Sequence, residues 1–82
     1  MKLVDMIKRD IKDESCSIEY INGCLLSHGY NAIGDYEDGV LKYTNGKSTI
    51  FVKCVEDGNK YYVTDVTMSN KKRGSTRTRA FR

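Results

Sequence analysis

Val40-Leu41-Lys42-Tyr43-Thr44-Asn45-Gly46-Lys47-Ser48-Thr49-Ile50-Phe51-Val52-Lys53-Cys54-Val55 reads as two strands about a tight turn. The flanking residues are β-branched and aromatic, and Asn-Gly accepts the positive φ angles that two-residue hairpin loops demand. The spacing predicts one strand over 40–44 and a second over 48–55. Glu56-Asp57-Gly58-Asn59 then turns into a third strand over 60–68, giving a three-stranded antiparallel meander over 40–68. A loop closed on Asn45-Gly46 opposes Thr44 to Lys47 and Leu41 to Ile50. The period of two then gathers Leu41, Tyr43, Ile50, Val52 and Cys54 on one face, the expected core. The other face shows Val40, Lys42, Thr49, Phe51, Lys53 and Val55. Tyr62, Val66 and Met68 are expected partly on this second face, which is either covered by residues 16–30 or offered to a partner.

Upstream, Leu3, Val4, Ile7 and Ile11 fall on one arc at helical spacing, while Lys2, Asp5, Arg9 and Lys12 fill the other side. Residues 2–13 are therefore an amphipathic helix and the natural cover for the core face. Residues 16–30 admit two readings. Ser17 is a good helix cap, with Ile18, Ile21 and Leu25 inward and Gly29 beyond the end. Against this, Asn22-Gly23 costs about 1–1.5 kcal/mol inside a helix and is a strong hairpin signal. The expectation is the hairpin, extending the sheet. Residues 31–38 read as a polar connection with three acids.

Eighty-two residues suffice for one domain, with a core drawn from the 39% of residues that are hydrophobic. The division is a single α+β domain over 1–70 and a basic segment over 71–82. Residues 1–70 hold 8 Lys/Arg against 11 Asp/Glu, a balance of −3. The last twelve carry Lys71, Lys72, Arg73, Arg77, Arg79 and Arg82 with no acid, so the net charge of +3 conceals an acidic body and a tail of +6. No apolar run has the length of a membrane span. The opening Met1-Lys2-Leu3-Val4-Asp5 lacks a signal peptide's apolar stretch, and three cysteines cannot all pair within the chain. The expected location is the reducing cytoplasm, with free thiols.

The basic segment carries the clearest functional signal. If Arg77-Thr78-Arg79 is extended, its guanidinium groups fall on one side about 7 Å apart, a spacing suited to adjacent phosphates. Phe81 adds a stacking group for an unpaired base. The candidate binding residues are Lys71, Lys72, Arg73, Arg77, Arg79, Phe81 and Arg82, with Phe51, Tyr62 and Met68 as a second contact surface. Gly46-Lys47-Ser48 lacks the first glycine of a phosphate loop, since Leu41 stands there, and a strand rather than a helix follows. Cys16, Cys24, His28 and Cys54 include no Cys-x2-Cys knuckle, so neither a metal nor a cofactor is expected. The reading is a non-catalytic binding protein whose basic segment engages nucleic acid or a nucleic-acid-handling machine, without a membrane partner.

If residues 16–30 are helical, the order helix, helix, antiparallel strands, basic end resembles that of the small RelE-type ribosome-dependent ribonucleases. Lys60-Tyr61-Tyr62-Val63-Thr64-Asp65-Val66 followed by Lys71-Lys72-Arg73 is similar to their final strand and basic end. The resemblance implies RNA cleavage, with His28, Tyr61 or Tyr62, Arg73 and Arg77 as acid, base and phosphate stabilisers. Those ribonucleases open with a strand and keep their basic residues within the sheet, whereas this chain opens with a helix and concentrates charge in the tail. In size and composition the chain is also similar to small phage proteins that inhibit host nucleases or polymerases by stoichiometric binding.

Overall fold

A computed structural model describes residues 2–70, so the basic segment lies outside the described residues. The order is α1 (Leu3–Ile11), β1 (Ser15–Cys16), α2 (Ile18–Leu26), β2 (Asn31–Glu37), β3 (Val40–Thr44), β4 (Ser48–Asp57) and β5 (Lys60–Asn70). The α+β class is as expected, but the sheet is larger than the predicted meander. Five antiparallel strands run in the order β1-β5-β4-β3-β2. No helix among the described residues is long and apolar enough to cross a membrane.

The predicted core face is the core. Leu41, Tyr43, Ile50, Val52 and Cys54 are all buried, joined by Val63 and Val66. α1 buries Ile7 and Ile11 completely, with Leu3 and Val4 packed beside them. Removing those two isoleucines from water contributes about 3–6 kcal/mol. Asp5 in its first turn and Lys8 and Arg9 in its last complement the helix dipole. Beyond α1, the Asp13 amide donates to the Val63 carbonyl and the Val63 amide to that of Glu14, which leads the chain into β1 on the edge of β5.

Residues 16–30 correct the hairpin expectation, for their centre is α2. The Ser17 hydroxyl accepts from the Tyr20 amide at 3.1 Å, and Ile21 and Leu25 are fully buried. Asn22 compensates for its poor propensity by accepting from the Tyr43 hydroxyl at 2.6 Å. Gly23 lies on the exposed side, where an added Cβ would meet nothing within 4 Å. The helix closes as the cap reading expected. Gly29 takes φ +87°, its amide donates to the Leu26 carbonyl, and the Tyr30 amide reaches that of Leu25. Tertiary burial outweighs the local turn signal.

Residues 31–38 also differ from expectation, since 31–37 form the edge strand β2. Its side chains other than Tyr36 are exposed, so the polar composition that suggested a loop marks a strand with little to bury. The pairing slips between Ile33 and Glu37, around Gly34 at φ +68°. Asp38-Gly39, with φ of 52° and 78°, closes the β2–β3 hairpin in the doubly left-handed geometry of a type I′ loop.

Two details set the faces. The β3–β4 loop is Gly46-Lys47 rather than Asn45-Gly46, because the Asn45 carboxamide oxygen accepts from the Lys47 and Ser48 amides at 2.8 and 2.9 Å. Leu41 therefore opposes Val52, and Thr44 opposes Thr49. A slip of two residues keeps every side chain on its predicted face. In β5, by contrast, Cys54 opposes Val63 and Lys53 opposes Asp65, leaving Thr64 as one extra residue. That bulge lets Val63 and Val66, three apart, both enter the core.

Candidate functional site

Both helices lie on the core face of the sheet. α2 meets β2, β3 and β5 around a cleft of about 250 Å³ lined in part by Ile18, Asn22, Tyr36, Tyr43 and Tyr61. Tyr36 and Tyr61 pack with ring centres 5.0 Å apart, and the Tyr36 hydroxyl donates to the Cys54 carbonyl at 2.9 Å. α1 meets the end of β5 around a second cleft, of about 570 Å³, lined by Lys2, Leu3, Val4, Lys8, Val66, Thr67 and Met68. The opposite face has no element over it among the described residues.

Strand alternation builds that open face. Val40, Lys42 and Thr44 come from β3, Thr49, Phe51, Lys53 and Val55 from β4, and Tyr62 and Thr67 from β5. The pairings align Lys42 with Phe51, Phe51 with Thr67, Lys53 with both Val40 and Asp65, and Val55 with Tyr62. Val55 is 58% exposed and Tyr62 38%, while Phe51 is half-buried among its neighbours. Ile33, opposite Lys42 on β2, extends the apolar area. Of the predicted second contact surface, Phe51 and Tyr62 share this face. Met68 does not. It stands opposite Ile50 on the helix side, because the Thr64 bulge reverses the alternation beyond Tyr62. The same bulge moves Val66 from the expected second face into the core.

The charges on the open face are sorted along the strands. Asp65, across from Lys53, is engaged by α1. Its carboxylate accepts from the Val66 amide at 2.9 Å and pairs with Lys8 at 3.4 Å. The Val66 amide above all, then Lys8 and, more weakly, Lys53 hold its pKa below the ordinary value against the effect of burial. Neither Lys42 nor Lys53 forms an ion pair among the described residues. Glu37, Asp38, Glu56 and Asp57 sit at the sheet end formed by the β2–β3 and β4–β5 turns. The other end carries Lys47 in the β3–β4 loop, and Asn70, opposite Ser48, leads there into residue 71.

The titratable groups weighed for chemistry are dispersed. His28 follows α2 at the end where Asn31 pairs with Thr44. Tyr61 and Tyr62 lie about six β4 residues away, about 20 Å by strand rise, and on opposite faces. The structure therefore does not bring His28 beside either tyrosine, and Arg73 and Arg77 lie outside the described residues. The thiols of Cys16, Cys24 and Cys54 are free, and each is raised above its ordinary pKa, first by burial. For Cys54 the value rises to about 11, so at neutral pH these groups are thiols rather than nucleophilic thiolates. Among the described residues no group of three or more His, Cys, Asp or Glu is arranged to hold a metal ion. No protein-family model, curated protein or solved structure matches the chain.

Proposed function

We propose that this chain is a binding protein whose segment 71–82 engages nucleic acid, directly or within a nucleic-acid-handling machine. The observation that carries the reading is the charge division: six cations and no acid follow a body whose own balance is −3. The position of Asn70 supports it. β5 runs away from the acids of the two turns at its start, so the cations follow the strand end remote from them. Lys71, Lys72, Arg73, Arg77, Arg79 and Arg82 would meet phosphates, and Phe81 would stack on an unpaired base.

The test is fluorescence anisotropy with labelled single- and double-stranded DNA and RNA, titrated with salt, on the intact chain and on one ending at Asn70. Six phosphate contacts give a log–log salt slope of about −5 on duplex DNA and about −4 on single strands. The intact chain is expected to bind with such a slope, and the shortened chain to lose most of the affinity. If neither chain binds any of the four nucleic acids, direct contact is wrong, and the basic segment belongs to a protein complex.

A further inference from the structure

We infer that the open face of the sheet is a second half of the same interface, a stacking platform for single-stranded nucleic acid centred on Phe51 and Tyr62. The inference rests on the nucleic-acid reading of segment 71–82 and adds to it a site within the folded body. Phe51 and Val55, the partner of Tyr62, are four residues apart on β4 and share a face, so the two rings stand about 13 Å apart along the sheet. Lys53 projects from the same face between them, and Lys42 lies directly across from Phe51. An aromatic surface with ammonium groups beside and between its rings suits unpaired bases joined by phosphates. A duplex hides its base faces and could use only the lysines.

Charge complementarity selects this occupant over a second copy or an apolar protein surface. Docking two such faces together would bring four lysines into one desolvated patch, and lysine is depleted from the cores of protein interfaces. The acid nearest the platform, Asp65, is engaged by the Val66 amide and Lys8 and also feels the charge of Lys53 across the strand. Of the remaining acids of the sheet and its turns, Asp35 on β2 lines the cleft beneath α2, and Glu37, Asp38, Glu56 and Asp57 sit at the end away from Asn70. β5, which carries Thr67 on this face, ends at Asn70, and Lys71-Lys72-Arg73 follow in sequence. The basic segment therefore follows in sequence from the sheet end remote from the acids of the two turns.

The experiment compares the full chain with Phe51→Thr and with the double variant Lys42→Gln/Lys53→Gln. The ligands are a 12-nucleotide oligo(U), a 12-nucleotide oligo(dT) and a 12-base-pair DNA duplex. Phe51→Thr is expected to weaken single-strand binding about tenfold while leaving duplex binding and the salt slope unchanged. The lysine variant is expected to reduce the single-strand slope by about 1.4, the share of two contacts. Amide shifts in a 15N-labelled full chain provide a second readout, with oligo(U) or oligo(dT) expected to move Lys42, Phe51, Lys53 and Thr67 and to leave α2 in place. Preference between the two oligomers identifies RNA or DNA as the source. If the intact chain binds and truncation at Asn70 abolishes binding, but both face variants bind like the parent, the platform is wrong and the tail reading stands. If the full chain binds no nucleic acid, both fall together. If the free chain sediments as a dimer that Phe51→Thr dissociates, the face joins two copies and the platform is refuted.

Discussion

Replacing Gly23 by Ala reads out directly why residues 18–26 form a helix. Gly23 stands in the interior of α2 on its exposed side, outside the left-handed region, and a Cβ there would meet nothing within 4 Å. Alanine has no new contact to make and no clash to relieve. Its whole effect is the entropy that glycine forfeits in a helix, about 0.8–1 kcal/mol. Gly23→Ala should therefore stabilise the protein by about 1 kcal/mol. That is a rise of about 4–8 °C in melting temperature for a domain of this size, or about 0.5 M in the urea midpoint. If Asn22-Gly23 were instead a hairpin loop with left-handed backbone, the same change would cost about 1–2 kcal/mol. Gly29→Ala is the internal control. Gly29 sits at φ +87°, so alanine there should destabilise by about 1–2 kcal/mol although it too has open space around it. Urea unfolding followed by circular dichroism gives both values. A Gly23→Ala midpoint below that of the parent would refute the helix argument.

The bond between Tyr43 and Asn22 should behave as a unit. Asn22→Ala leaves a 1% exposed phenol without its acceptor and should cost about 1–2 kcal/mol after the gain in helix propensity, while Tyr43→Phe should cost about 1 kcal/mol. The double variant should fall short of the sum by about 1 kcal/mol, and strict additivity would mean the bond contributes nothing. Cys54 makes stability depend on alkaline pH. Its thiol titrates near 9 when unfolded and at about 11 in the folded chain, so its contribution is intact below pH 9. The contribution fades as the unfolded state sheds its proton first, reaching about 2 kcal/mol of loss by pH 11. Cys54→Val should flatten the fall in urea midpoint between pH 9 and 10, and superimposable curves for the two proteins would exclude this role.

The candidate site was legible in part, for a reason visible in single residues. Lys42, Phe51 and Lys53 are placed on one face by the period of two alone, and the slipped β3–β4 register could not disturb them because it moved by an even number. Tyr62 precedes the bulge and Met68 follows it. One inserted residue, Thr64, therefore sent them to opposite faces, with no local residue pattern to announce it. The bulge exists because Val63 and Val66 both gain by burial, and that gain is defined only once α1 lies over the sheet.

By itself the sequence determined the elements whose local pattern and burial agree: the Ile7–Ile11 stripe of α1, the inward residues of β3 and β4, and an acidic body followed by six cations. Asp38-Gly39, by contrast, was read as part of a polar connection, and its left-handed hairpin geometry emerged only with the pairing of β2 and β3. Only the tertiary structure decided between helix and hairpin at Asn22-Gly23, brought β2 onto the sheet edge and inserted the bulge at Thr64. At Asn22-Gly23 the local preference amounts to about 1–1.5 kcal/mol. Full burial of Ile21, Leu25, Val63 or Val66 is worth about 1.5–3 kcal/mol per side chain, so packing against the rest of the molecule, invisible to any window of sequence, set the outcome.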